Sequence, residues 1–214
     1  MKKLLRYKKD AKLAFFDFET EGLCLYLPEN LPWELGLLTV QGGEIQRADL
    51  IHMNGWHRPV RVSKEAARIT GFNQANYERS AIDQKEVFEK VLETFRWADY
   101  IIGHNIFGFD YCLLKQWYDM HGQSSKSIER KLIDTKSLAS AIKSEIPFDI
   151  ENDDFLAWQL ALSNHREKGV KTNLGAMADH YGAEYDKSKT HQGLYDIEKL
   201  NWPVYQKMIW DLEI

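Results

Sequence analysis

The run Leu13-Ala14-Phe15-Phe16-Asp17-Phe18-Glu19 is apolar on both of its alternating faces until two acids enter near its end. Successive side chains of a strand point to opposite faces, so Leu13, Phe15, Asp17 and Glu19 share one face and Phe16 and Phe18 the other. A strand apolar on both sides belongs inside an α/β sheet. Leu35 to Val40 and Ala48 to Met53 predict two more strands, joined through Gln41-Gly42-Gly43-Glu44, a glycine-bearing hairpin turn. Helical periodicity follows. Ser63 caps a short predicted helix that Gly71 stops. Phe88, Val91, Leu92 and Phe95 form one stripe of a helix from Asp83 to Arg96. Tyr100 to Gly103 predicts a strand and Phe109 to His121 a helix. Lys131 to Thr135 predicts a short strand running into a helix through Lys143. The segment Ser144 to Val170 breaks this alternation. It joins an acidic stretch (Asp149, Glu151, Asp153, Asp154) to a helix carrying Phe155, Trp158 and Leu162, and it reads as an insertion, a solvated excursion capped by a packed helix. Asn173 to Tyr181, Gly193 to Leu200 and a segment from Pro203 predict the remaining helices. A β-meander followed by alternating helices and strands predicts an α/β fold, a mixed sheet flanked by helices.

Composition narrows the class without naming a function. The 214 residues are expected to form a single domain, residues 1–214, with the insertion at 144–170 inside it. Apolar residues make up 44% and charged residues 28%, which supports a packed core and excludes disorder. No apolar stretch reaches the ~20 residues of a membrane span, and the basic start from Lys2 to Lys12 leads into no signal-like core. A cytoplasmic location is therefore expected, with no membrane partner. The two cysteines, Cys24 and Cys112, are too few for a disulfide framework or a zinc site and fit a reducing compartment. The formal charge of -4 leaves no basic footprint. It does not exclude nucleic acid, because bound cations in a carboxylate site reverse the local repulsion a phosphate would meet.

Candidate chemistry gathers at junctions between strands and helices. Asp17 and Glu19 sit at the carboxyl end of their strand, where ligand sites of open α/β sheets lie, and the pair can converge on one metal ion. A solvated strand end is the alternative. Asp110 follows a strand and opens a helix, a place that favours an anion and that a simple cap would also explain. His191 precedes Asp196 by five residues. On one continuous helix that offset is about 140°, so the two share a site only if His191 lies on the loop before the helix. There it can act as a general base; a surface loop histidine is the alternative. His52, His57 and His121 are read as structural or solvated.

Taken in order, Asp17-Phe18-Glu19-Thr20-Glu21-Gly22-Leu23, His104-Asn105-Ile106-Phe107-Gly108-Phe109-Asp110 and His191-Gln192-Gly193-Leu194-Tyr195-Asp196 resemble the three motifs of the DnaQ-like (DEDD) 3′–5′ exonuclease superfamily in its histidine subtype. Ile69-Thr70-Gly71, Ile133-Asp134-Thr135 and Asn173-Leu174 are smaller echoes, and the match runs from about Leu13 to Asp211. The resemblance implies a ribonuclease H-like mixed five-stranded sheet flanked by helices. It also implies a metal-dependent exonuclease that releases nucleoside 5′-monophosphates from the 3′ end of single-stranded DNA or RNA. Asp17, Glu19, Asp110 and Asp196 would hold two Mg²⁺ or Mn²⁺ ions, and His191 would take the proton of the attacking water. Thr20, Gly22 and Leu23 would cradle the 3′-terminal nucleotide, with Asn105 and Phe109 lining the same pocket. Hard ions prefer such oxygen ligands, and four clustered carboxylates need cations to remain ionised together.

Three departures from the family pattern stand out. The second motif has one extra residue between His104 and Asp110, Gly193 replaces an alanine and should loosen the turn after His191, and Glu21 replaces a threonine and adds negative charge where a nucleotide would dock. The alternatives are an oligoribonuclease-type exoribonuclease, a polymerase-associated proofreading or 3′-end-binding subunit, and a ribonuclease H-like endonuclease. A homodimer or a polymerase or repair partner is left open.

Overall fold

A computed structural model describes residues 5–214, and Lys2 and Lys3 of the basic start lie outside them. The strands are β1 (Leu13–Thr20), β2 (Pro32–Gln41), β3 (Glu44–Asn54), β4 (Ile82–Asp83), β5 (Tyr100–Gly103) and β6 (Leu132–Asp134). The helices are α1 (Lys64–Thr70), α2 (Gln74–Ser80), α3 (Gln84–Trp97), α4 (Asp110–Met120), α5 (Lys126–Glu129), α6 (Thr135–Lys143), α7 (Phe155–Ser163), α8 (Leu174–His180), α9 (Gly193–Tyr195) and α10 (Trp202–Asp211). One sheet runs in the order β4-β3-β2-β1-β5-β6. β1 to β3 form the antiparallel meander, and β5 and β6 continue parallel to β1. The mixed α/β sheet flanked by helices is the ribonuclease H-like arrangement the sequence implies. It has six strands where five were expected: β4 is two residues long and pairs with Met53 and Asn54, too short to leave a periodic signal.

β1 is buried on both faces because each face meets its own layer of helices. Phe16 and Phe18 pack with Val87, Phe88 and Phe95 of α3 and with Leu113, Leu114 and Trp117 of α4. Leu13 and Phe15 pack on the opposite side with Leu138, Met177, Ile197, Leu200, Tyr205 and Met208. Each such side chain, fully buried, contributes about 1.5–3 kcal/mol. Asp17 and Glu19 continue the Leu13–Phe15 face, so the C-terminal helices that cover this face also bring Asp196 toward them.

One stretch differs from the sequence reading. Gly193 to Leu200 and the segment from Pro203 form one helical run, in which a π-helical stretch, Asp196–Asn201, joins α9 to α10. Pro203 has no amide hydrogen to donate, so an unbroken α ladder cannot pass through it. Such π segments concentrate at functional sites. Within residues 144–170, α7 packs Trp158 and Leu162 into the core on the Leu13–Phe15 side of the sheet. Its Gln159 also takes the place of a neighbouring strand for β6. The side chain accepts from the Asp134 amide at 2.8 Å and donates to the Leu132 carbonyl at 3.1 Å. Among the described residues no helix is long and apolar enough to cross a membrane.

Candidate active site

The carboxyl end of β1 opens into a cleft of about 470 Å³, whose lining includes Asp17, Glu19, His104, Asn173, His191 and Asp196. Asp110 lies at this end of the sheet but is buried, at 3% exposure. It opens α4, and its Oδ1 accepts the Phe18 amide at 3.1 Å, the amide between Asp17 and Glu19. The four acids drawn from the three motifs thus gather at one end of β1. A bulge between Glu19 and Thr20 shifts the pairing with β2, and bulges of this kind re-aim side chains next to sites.

His191 stands on the loop before α9, as the offset to Asp196 required. Its backbone is left-handed, φ 64°, and its amide donates to Asp196 Oδ2 at 2.9 Å. That bond ties the loop to the first π turn. Gly36, paired with Asp17 across the meander, makes room for this loop: a Cβ there would lie 2.5 Å from the Gly193 carbonyl carbon. A methyl at Gly193 would lie 3.1 Å from the Gly36 nitrogen. Gly193 therefore permits a close backbone crossing where the sequence suggested a loosened turn.

Electrostatics make the cluster unstable as bare anions. Burial first, and then Asp110, Asp196 and Glu34, push the Asp17 carboxyl well above the usual range. Burial and Asp17 push Glu19 up to about 10. Burial pushes Asp110 up to about 7, against the hydrogen bond from Phe18, and Asp196 up to about 6, against the bond from His191. Asp196 Oδ1 is buried with no partner. Several oxygens that repel one another, one of them orphaned, are the donor type that hard divalent cations take, although among the described residues no three acid, histidine or cysteine side chains stand as a ready-made metal site. His104 is neutral. Burial and Lys136 hold it down to about 3, and its Nδ1 lies 3.0 Å from Thr135 Oγ1.

The expected nucleotide-contacting residues are placed unevenly. Thr20 is buried, and its hydroxyl donates to the Gly22 carbonyl at 2.6 Å. Leu23 is 88% exposed on the loop after β1. None of Thr20, Gly22, Leu23, Asn105 and Phe109 is among the residues lining the cleft; Gly22 and Leu23 line a separate hollow with Arg58 and Arg61. The Asn105 side chain accepts from Lys136 Nζ at 2.6 Å and its backbone amide donates to Asp134 Oδ1 at 2.7 Å, while Phe109 packs against the core on the Phe16–Phe18 side of the sheet. The extra residue of the second motif is absorbed by a left-handed Asn105, φ 63°, and a 3-10 turn, Ile106–Gly108.

Glu21 adds no free charge to the loop. It accepts from both terminal nitrogens of Arg58, at 2.7 and 2.6 Å, from the Leu31 amide at 3.0 Å, and from the Arg61 amide. Burial would raise its carboxyl, but these bonds outweigh it and hold the group below its ordinary range. Two residues escaped the sequence reading. Asn30 holds the loop from inside, accepting from the Gly22 amide and donating to the Gly22 and Cys24 carbonyls. Glu34 is a further buried carboxylate, opposite Glu19 on β2. Its signal was a lone acid in the apolar run Trp33 to Leu38.

A family model described as exonuclease, of the RNase T type, matches residues 14–200. The chain belongs to this exonuclease family, within the DnaQ-like superfamily. Among curated proteins none matches its sequence. Solved structures of E. coli exonuclease I share its fold. The complex with a dA16 oligonucleotide aligns with a TM-score of 0.64 at 11% identity, over 93% of this chain and 40% of that one. The zinc-bound complex with single-stranded DNA aligns at 0.63 and 13%, over 94% and 40%. The form without ligand aligns at 0.63 and 13%, over 94% and 42%. The chain spans about two fifths of the length of those structures.

Proposed function

We propose that this chain is a two-metal 3′–5′ exonuclease, hydrolysing the terminal phosphodiester of single-stranded DNA or RNA and releasing nucleoside 5′-monophosphates. The observation that carries this reading is the convergence of Asp17, Glu19, Asp110 and Asp196 at one strand end, with His191 on the facing loop of the same cleft. The four carboxylates would hold two Mg²⁺ or Mn²⁺ ions. When bound, the ions would supply stabilisation of the charge that builds on the attacking and leaving oxygens.

The chain's own groups account for the rest. His191, unhindered on its loop, would take the proton of the attacking water at an imidazole nitrogen. The Phe18 amide fixes the direction of Asp110, and the His191 amide fixes that of Asp196. Thr20, Gly22 and the exposed Leu23 would receive the terminal nucleotide, and base contact with an apolar side chain of this kind tolerates any sequence. Asn105 and Phe109 would act from behind the cleft wall, by shaping the turn that leads into Asp110. The chemistry suits the single-stranded DNA held in the exonuclease I structures; RNA is the second substrate to assay.

Treatment with EDTA should abolish release of mononucleotides, and Mn²⁺ should restore it. Asp17→Ala should remain inactive with Mn²⁺ present. Digestion of a circular single strand would replace this reading with an endonuclease. Full activity of Asp17→Ala in metal-free buffer would end the metal mechanism.

A further inference from the structure

Glu34 is 5% exposed and lies directly across the meander from Glu19, so a further carboxylate stands at the sheet end that holds the four acids. Both of its oxygens are already engaged. Oε1 accepts the Gly193 amide at 3.2 Å, and Oε2 faces His52 Nε2 at 3.1 Å. On the far side of the ring, His52 Nδ1 lies 2.6 Å from Ser80 Oγ, and that hydroxyl donates to the Asn76 carbonyl at 2.7 Å. A carboxylate only accepts, so Nε2–H donates to Glu34 Oε2. Trp33 stacks on the ring at 5.8 Å and 30°, which fixes its plane. The chain of bonds runs from α2, through His52 and Glu34, to the amide that opens the helical run bearing Asp196.

We propose that Glu34 is a positioning residue and not a metal ligand. It anchors the Gly193 amide so that His191 and Asp196 face Asp17 and Glu19, while His52 and Ser80 hold its second oxygen. This deepens the exonuclease reading and rests on it. Geometry explains the need. The Gly193 backbone crosses β2 at Gly36 with no side chain between them, so the Glu34 bond is what tethers the crossing to the strand.

The test compares Glu34→Gln, Glu34→Ala and His52→Phe by steady-state kinetics on a single-stranded oligonucleotide with Mn²⁺. Glutamine keeps an acceptor for Gly193 and offers an N–H to His52 Nε2, with the ring proton moved to Nδ1, where it faces Ser80. It should therefore rescue kcat to within about threefold of wild type, with the half-maximal Mn²⁺ concentration unchanged. Glu34→Ala should lower kcat by about 10- to 100-fold with KM and the Mn²⁺ requirement nearly unchanged, the signature of a displaced catalytic loop. His52→Phe keeps the stack on Trp33 and should move kcat in the same direction, and it carries the test if Glu34→Ala does not fold. Failure of glutamine as complete as that of alanine, with a Mn²⁺ requirement raised about tenfold or more, would make Glu34 a metal ligand and overturn the proposal. So would full kcat in Glu34→Ala. Hydrogen exchange at the Gly193 amide reads the anchor without catalysis. It should be slow in wild type and Glu34→Gln and at least about tenfold faster in Glu34→Ala, and equal rates overturn the anchor. An inactive wild type with these exchange rates would fail the exonuclease reading alone.

Discussion

His191 occupies a left-handed backbone conformation that costs a non-glycine residue about 1 kcal/mol or more, and the bond from its amide to Asp196 helps hold it there. A loop held in this way, with His191 lining the same cleft as Asp17 and Glu19, would suit proton transfer. His191→Ala is expected to lower kcat by about 10²–10⁴-fold, the usual contribution of a general base, with little change in thermal stability. Single-turnover kinetics and a melting curve separate the two effects. Glu21 makes the opposite case. Its substitution with alanine leaves donors of Arg58, Leu31 and Arg61 unpaired and is expected to destabilise the protein by about 1–3 kcal/mol, measured as a lower denaturation midpoint in urea. The motif showed Glu21 as a misplaced charge. Its partner Arg58 lies 37 positions away and no local pattern links them, so the pairing was out of reach of the sequence.

At the scale of elements, the site depends on a strand and a helix start lying almost backbone to backbone. Gly36→Ala places a methyl 2.5 Å from the Gly193 carbonyl carbon. Overpacking of this kind costs about 1–3 kcal/mol, and the displaced loop should cost activity beyond that; a chevron plot with a rate assay on the folded fraction checks both. Much of this level was legible. β1 with its acids, the hairpin turn, the stripe of α3 and the loop position of His191 all follow from period, turn residues and offset. What stayed hidden were features without a period: the two residues of β4, the seven of α2, and the π stretch at Asp196–Asn201. Glu34 was hidden for another reason. Strand β2 was expected to begin at Leu35, one residue after it, so its alignment with Glu19 was not visible.

For the whole molecule, the carboxylate cluster couples stability to pH and to cations. Asp110 and Asp196 titrate at about 7 and about 6 in the folded protein, against about 4 in an unfolded chain. The folded state therefore holds protons that the unfolded state has lost across that interval. The associated stability is full below about pH 4 and disappears as the pH rises through about 6 and 7. In EDTA the melting temperature is expected to fall by about 5 °C or more between pH 5 and pH 8, and Mn²⁺ should restore more of it at pH 8 than at pH 5. Scanning calorimetry at the two pH values gives the answer. A melting temperature that is flat with pH and indifferent to Mn²⁺ would show that the acids do not form one cluster.

The most direct test of the central claim is the product pattern from a 5′-labelled linear single-stranded DNA oligonucleotide incubated with Mn²⁺, with Asp17→Asn alongside. A 3′–5′ exonuclease should give a ladder shortening one nucleotide at a time from full length, nucleoside 5′-monophosphates as the released product, and no ladder with Asp17→Asn. Internal fragments appearing from the first time points, or an unchanged ladder with Asp17→Asn, would contradict it.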